Sequence, residues 1–533
     1  MERRWVEISV RFARHLRTGS LARAWSAADA EARDLCARGP PGAEEVEVLA
    51  RLAVLAAQYG EDERALRWVS EFEEAFARGA RRAEVRATAE AIRLAVELAS
   101  KEYGGAERRL RSIEWRDLRA APWAANLRLL AAVWARDDAL FLEILRGREG
   151  APTSGAESLG ALPHPAGSAY DRGNRLRILA LWFFHHGRWE RGLACLAPAL
   201  REFGRDRAID ARLREIEVRG LTATAAYYIG RIDEAEDMLE AAIAAAEEVH
   251  HTAYRDTFRE QLALVWVEKE DLERAERLLE SVAAEAGARG RRRPVDHFLR
   301  TSALLNAAAV AVERKDLSCA ERRLRQARRL LEARDHPRYR GHLHILIGRL
   351  AAEEGRGDSG ARALEHYDIA EDYFNAAGGG DLVGIAVARI HRSRLHLRLR
   401  DLRAALAEAE RAADAARRSR HPPAEAACVL LKSQILLEEE GSQAEGLYEE
   451  VIGNLGLVRS PVSLLKVIAN LYLFSWELGD QLDLTAWHLG QIHRLAEIID
   501  RTTFDRLYGE LVVEKVLKRA ISHTLGNGAE GDR

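Results

Sequence analysis

One six-residue phrase recurs along the chain and limits its fold more than any other feature. A small or polar turn residue is followed, five positions on, by a small one. It reads Gly60-Glu-Asp-Glu-Arg-Ala65, Gly187-Arg-Trp-Glu-Arg-Gly192 and Gly230-Arg-Ile-Asp-Glu-Ala235. It continues as Glu270-Asp-Leu-Glu-Arg-Ala275, Lys315-Asp-Leu-Ser-Cys-Ala320 and Arg400-Asp-Leu-Arg-Ala-Ala405. Weaker copies end at Ala24, Ala106, Ala363, Ala444 and Leu484, and a degenerate unit lies around Asp137–Leu145. From Gly192 onward the small positions step by 43, 40, 45, 43, 42, 39 and 40 residues. A random sequence does not hold such a step over seven intervals.

A repeat array also suits the length. The 533 residues exceed the roughly 250–300 at which a single core stops growing, whereas each repeat packs only on its neighbours. Hydrophobic residues at 47% and charged ones at 31% suffice for a core and its covering, which excludes disorder over the whole length. Ala, Leu, Arg and Glu dominate, and these favour helix. Alternating β-branched runs are scarce, so no strand is expected.

Each phrase therefore reads as the turn of a helix pair. In Leu262–Ala275 the first helix ends near Glu268, and Glu270–Asp271 turns the chain. Asp271 is placed to cap the next helix. Ala275 falls where two helices cross, and a larger side chain there overpacks the contact. Pro40–Pro41, Pro122, Pro294, Pro337, Pro422–Pro423 and Pro461 all fall between one unit's second helix and the next unit's first. Proline suits such boundaries and first turns. Pro198 is the exception; it lies inside an expected second helix and should kink or shorten it.

The Gly-x-x-x-x-Ala phrase, preceded by a helix rich in Leu, small and aromatic residues, resembles the tetratricopeptide repeat (TPR). The best copies are Leu221–Ala245, Leu262–Leu279 and Leu304–Leu324, and the resemblance covers about residues 5–500. The steps exceed the roughly 34 residues of the standard repeat. They are similar to the longer-helix variety of kinesin light chain and of large bacterial signal-responsive regulators. The resemblance implies an all-α solenoid of about 11–12 TPR-like helix-turn-helix repeats in a right-handed superhelix.

The expected organisation is an N-terminal array over 1–146, a Gly/Ser/Pro-rich linker or insertion over 147–174, a main array over 175–500, a capping or docking helix over 501–525 and a disordered tail over 526–533. The helix around Thr503–Leu525 carries the apolar residues Phe504, Leu507, Leu511, Val512, Val516 and Ile521. The Arg-rich segment Gly287–Pro294 reads as a solvated loop or, alternatively, a basic docking patch.

Catalytic patterns are missing from the sequence. There is no phosphate-binding Gly-Lys phrase, no Gly-x-Ser-x-Gly elbow and no His-Glu-x-x-His. Cys36, Cys195, Cys319 and Cys428 are far apart and read as small core hydrophobes. The pairs His185–His186 and His250–His251 diverge on a helix and read as capping or surface groups rather than joint ligands. Glu365, Asp368, Glu371 and Asp372 form an acidic face, read as solvated. No metal and no cofactor are expected. A formal net charge of −3 argues against a generally nucleic-acid-binding surface. No long uncharged apolar run suggests a membrane span. The Arg bias among the basic residues suggests a GC-rich bacterial source, and a cytoplasmic location is expected.

The resemblance also implies where function lies, since first-helix side chains line the concave groove of such arrays. The corresponding positions are Arg177 and His185, Tyr227 and Tyr228, Glu260 and Glu268, Asn306 and Glu313, and Arg394 and Arg398. Tyr227 and Trp266 have the alternative of packing between helices. The expected function is a non-enzymatic protein–protein interaction scaffold or regulatory subunit. Its partner would be another protein or peptide, and through it a separately encoded bacterial effector such as a protease, nuclease or transcription factor. The alternatives are a peptide- or small-ligand-sensing regulator whose superhelix changes shape, and an enzyme with a site hidden in the groove.

Overall fold

The computed structural model describes residues 2–17, 21–37, 43–76, 82–99, 109–110, 112–113, 115, 122–135, 137–146, 168–289, 294–355, 357–377, 380–438, 442–477, 482–499 and 501–514. Among these, twenty-four α-helices follow one another from Glu2–Arg17 to Arg501–Tyr508, and there is no strand. Consecutive helices pack in pairs, and first helices of neighbouring pairs also touch. The protein is an all-α solenoid.

The recurring phrase is the turn of each pair. Its first residue takes the left-handed conformation in all six strong copies: Gly60, Gly187 and Gly230 at φ 75°, 66° and 84°, and Glu270, Lys315 and Arg400 at 62°, 62° and 61°. The next amide reaches back over the helix end, from Glu61 to the Ala56 carbonyl (2.8 Å) and from Asp271 to the Trp266 carbonyl (2.8 Å). This is the Schellman closure, which satisfies carbonyls that the helix end leaves open. Glycine adopts it without penalty, whereas a residue with a Cβ carries roughly 1–2 kcal/mol of strain. The three strained copies are the ones followed by aspartate. Asp271, Asp316 and Asp401 accept from the backbone N–H of Arg274, Cys319 and Ala404 at 3.2, 3.0 and 3.1 Å. Such a cap contributes about 1 kcal/mol and offsets much of the strain.

The small residue closing the phrase sits where expected. Ala65, Ala235, Ala275, Ala320 and Ala405 are fully buried. A Cβ added to Gly192 would lie 2.2 Å from the Phe184 ring. Ala106 and the Leu484 side chain lie outside the described residues. Helices begin at Pro122, Pro294, Pro337, Pro422 and Pro461, where the missing N–H costs nothing; Pro40–Pro41 lie outside the described residues. Pro198 does not end its helix, because Trp189–Phe203 continues through it.

Two compact units make up the chain. The first comprises Met1–Ala225, Ala235–Gln261 and Glu285–Leu299; the second comprises Ala226–Glu234, Leu262–Ala284 and Arg300–Arg533. The division falls within helices after Ile209 rather than at 147–174. That segment also ends earlier than expected. The helix Ala169–His185 starts inside it, nucleated by a capping box in which Ser168 Oγ accepts from the Asp171 N–H (3.1 Å) and Asp171 accepts from the Ser168 N–H (3.2 Å). Residues 147–167 lie outside the described residues, as do 515–533, which hold the end of the expected capping helix and the tail. The helix Arg501–Tyr508 puts Leu507 into a core with Leu465, Ile468 and Ile492, so it covers the last pair. No helix among the described residues is long and apolar enough to cross a membrane.

Candidate binding sites

The helix Ile209–Tyr228 sets up the first unit's polar centre. Asp210, Arg214 and Glu217 fall four and three residues apart, one stripe of the helix, yet they share it with a packed core. Asp210 receives Arg51 at 2.7 and 3.1 Å and the Trp5 indole N–H at 3.0 Å. The Arg51 guanidinium also lies 4.8 Å over the Trp5 ring and 4.2 Å over Tyr170. Burial works to lower the Arg51 pKa, but Asp210 carries it above its usual value. Glu217 receives Arg177 (2.7 Å), Arg214 (2.5 Å) and the Tyr254 hydroxyl (3.3 Å). Burial alone would raise the Glu217 pKa; Arg177 and Arg214 hold it at about 2. With the Gln58 amide oxygen turned toward Arg214, it accepts from both terminal nitrogens at 3.2 Å.

His251 closes this centre. Its Nδ1 accepts from the Tyr254 N–H at 3.1 Å, capping the helix Thr252–Glu268, and its ring stacks 4.1 Å from Tyr254. Burial drops its pKa to about 4, so the ring is neutral at pH 7. A cavity of about 430 Å³ opens among these groups, and every lining residue belongs to the first unit. Its apolar wall includes Leu127, Leu130, Ile178, Leu181, Leu221 and Phe258. Three cations, Arg51, Arg177 and Arg214, face it with three anions, Asp62, Asp171 and Glu217.

The second unit carries a different arrangement, a basic cluster on neighbouring first helices. Arg349 pairs with Glu313 (2.5 Å) and Arg398 with Glu353 (2.8 Å), while Lys315 shares Glu353 (2.6 Å). Arg394 lies among them, half-buried, in the electrostatic reach of Arg349, Glu313 and Tyr367. Burial and Arg349 lower its pKa. Among the described residues it makes no hydrogen bond or ion pair. Burial, together with Arg349, Arg394 and Arg398, holds His391 well below its ordinary value.

The sequence-expected groove residues divide between these places. Arg177 is in the first unit's cavity. His185 is exposed, its ring 5.8 Å from Trp134. Glu313, Arg394 and Arg398 come together in the basic cluster. Tyr227, Tyr228 and Glu268 serve internal contacts of the second unit. The Tyr228 hydroxyl meets His421 Nε2 at 3.2 Å, Tyr227 packs 5.6 Å from Tyr228, and Glu268 accepts from Ser463 at 2.8 Å. Glu260 and Asn306 are half-buried. Trp266 is buried, with Arg274 3.8 Å over its ring. Sequence reasoning missed Arg51, Arg214, Glu217, Tyr254 and Arg349; His251 it read as a capping or surface group, and the ring does cap the helix Thr252–Glu268. The stripe of charges at core-facing spacing on Ile209–Tyr228 was the signal available.

Other clusters resolve into structural roles. Glu276, Glu280 and Cys319 offer ligand atoms within 4.8 Å of one another, but Arg323 bridges both carboxylates and Arg314 holds Glu276. Of the expected acidic face, Glu371 is half-buried against Arg389 of the following pair, while Asp368 pairs with Arg392 and stays exposed, as expected of a solvated face. Arg289 is no free docking residue either; it holds the buried Asp256 and Asp296 (2.5 and 2.8 Å). His186 spans Asp138 (2.9 Å) and the Trp182 carbonyl (2.8 Å). The four cysteines are free thiols.

No protein-family model and no curated protein matches the chain. Solved structures do. The Rap protein complexed with Competence and Sporulation Factor matches with a TM-score of 0.52 at 10% identity, over 70% of this chain and 99% of its own. Yeast Tom70 matches with a TM-score of 0.40 at 10% identity, over 99% and 97%. The human IFIT1 dimer with m7Gppp-AAAA matches at 0.39 and 14% identity, over 89% and 90%. These neighbours are TPR-type helical-repeat proteins, and this chain has that fold. At such identities the likeness concerns the fold alone.

Proposed function

We propose that the chain is a non-enzymatic interaction scaffold or regulatory subunit that holds a partner protein or peptide and controls a separately encoded bacterial effector. The observation that carries this reading is Arg394. A partly desolvated guanidinium with no hydrogen-bonded or ion-paired carboxylate, and with Glu313 already bound to Arg349, destabilises the free protein, and a carboxylate on a partner would compensate it. Its neighbours Arg349 and Arg398 already have acidic partners, so the open valence is at Arg394. The fold supports the reading, since the Rap structure holds Competence and Sporulation Factor. The partner segment is accordingly acidic. Effectors of the protease, nuclease or transcription-factor kind fit the scheme, and the chain acts in the cytoplasm.

Affinity capture from the native cell tests this, with the intact protein beside Arg394→Glu. The expected result is one acidic-segment partner held by the wild type and lost by the variant, with circular dichroism unchanged. Equal retention by both proteins would overturn the assignment to Arg394, and capture of nothing would overturn the scaffold reading. The first unit's cavity favours a second reading, a small-ligand-sensing regulator whose helical array changes shape on binding.

A further inference from the structure

We propose that His344 and His366 form a two-histidine site for a borderline transition-metal ion such as Zn²⁺, bridging the two helices of one repeat in the second unit. The inference is independent of the partner site at Arg394 and of the first unit's cavity.

Placement comes from the repeat. His344 lies in the helix Pro337–Glu354 and His366 in its partner, Ser359–Ala376. The two are 22 residues apart, so no local ligand spacing marks them in the sequence. The return of the chain through the turn brings their rings to 5.2 Å between centroids. His344 also stacks 5.6 Å from Tyr373. Tyr373 lies seven residues on from His366 and so on the same stripe of its helix. That stacking fixes the direction of the His344 ring.

The distance carries the proposal. The two Nδ1 atoms are 3.1 Å apart. Nitrogens bound to one ion at about 2.0–2.1 Å stand about 2.9 Å apart at a right angle and about 3.4 Å apart at a tetrahedral one. The pair already has the bite of a single ion. In the free protein one Nδ1–H donates to the other Nδ1. When an ion takes that place, the donor ring's proton moves to its Nε2. Both rings are half-buried, and neither Nε2 is a buried atom lacking a partner, so the shift strands no group. Burial favours the neutral form of both rings, the form that binds metal. Water fills the remaining positions.

Donor type sets the class of ion. Imidazole suits Zn²⁺, Cu²⁺ and Ni²⁺, whereas Mg²⁺ and Ca²⁺ take oxygen ligands. Charge sets the strength. Arg328 acts through space on both rings, Arg340 on His344 and Arg362 on His366, and Glu365 opposes them at His366. Arg340 and Arg362 are held by Asp335 and Glu354. Arg328 is therefore the cation that most weakens the site.

Titration calorimetry of the full chain at pH 7, with ZnCl₂ and MgCl₂ as probes, tests this. Expected is a saturable Zn²⁺ site that Mg²⁺ does not fill. His344→Ala and His366→Ala should each weaken it by at least about tenfold, the loss that even an outer-shell partner brings. Arg328→Gln should tighten it about threefold, which a pair serving only as a hydrogen bond would not show. In the wild type, Zn²⁺ should slow hydrogen exchange first in peptides from Pro337–Glu354 and Ser359–Ala376. No saturable Zn²⁺ binding would overturn the proposal, as would an affinity unchanged in both histidine variants or no gain in Arg328→Gln. Where a variant fails to fold, wild-type protection confined to other peptides would overturn it alone.

Discussion

Both units close on themselves through residues far apart in sequence, but they do it with different chemistry. In the first unit, Asp210 gathers Arg51 and Trp5 in the interior, and the Tyr59 hydroxyl donates to the Val249 carbonyl at 2.9 Å. In the second, the closing contacts are Tyr228 with His421, Ser463 with Glu268 and Lys466 with Glu270. The Asp210 and Arg51 side chains are 4% and 8% exposed; those of Lys466 and Glu270 are 28% and 18%. Burial makes the first closure strongly interdependent, because losing either charge takes away the hydrogen-bonded partner of the other. The second is softened by water and contributes little per pair. One repeat fold thus supports a rigid closure around a cavity and a looser one beside a basic cluster.

The largest expected effect tests the rigid closure. Asp210→Ala should destabilise the first unit by about 3 kcal/mol, because the buried Arg51 loses both of its hydrogen bonds and keeps only the longer pairings with Glu47 and Asp206 at 3.7 and 3.6 Å. Denaturant titration read by hydrogen exchange in peptides from Ala43–Gln58 measures it, and a loss below about 1 kcal/mol would erase the contrast between the units. Acid should act in the opposite sense, on the second unit first. Among the described residues, burial lowers His342, His344, His421 and His488 to about 4 there, against His251 alone at about 4 in the first. Each is neutral when folded and gains a proton more readily when unfolded. Its stabilising effect is therefore complete above about 6.5 and is lost as pH falls toward 4. Glu217, held at about 2, gives up its contribution only below its unfolded value near 4.5. Hydrogen exchange at pH 7 and pH 5 should show the second unit opening first.

The repeat contact itself should not distinguish the units. Ala65→Leu and Ala275→Leu should each cost about 1–3 kcal/mol by overpacking, as thermal melts of the two variants would show; a large difference would mean that the crossing is built differently in the two places. The smallest effect belongs to the looser closure. Lys466→Met should change stability by no more than about 1 kcal/mol, and a loss as large as that of Asp210→Ala would abolish the comparison.

The pairing of helices was legible in the sequence because it is local. Phrase, proline and cap lie within a few residues of one another, and Gly60 and Glu270 mark the same turn although one is free of strain and the other leans on Asp271. The closures were not legible. Tyr59 and Val249, or Lys466 and Glu270, are about 190–200 residues apart, and no periodicity links them. For the same reason Tyr228 reads as a groove residue from its place on a first helix, while the structure engages its hydroxyl with His421. The basic cluster was half legible. Arg394 and Arg398 follow from first-helix position, but that Arg394 stays unpaired while Arg398 does not depends on where Glu353 falls one pair earlier.

The contact of Glu268 and Glu270 with Ser463 and Lys466 bears on how such a chain can change length. An open row of repeats tolerates duplication or deletion of a unit, since the neighbours simply restack. Here a unit gained or lost between residues 270 and 463 would carry the closing helix past its seat. The number of repeats in the second unit is therefore counted by the fold, and recombination between its repeats yields chains that cannot shut.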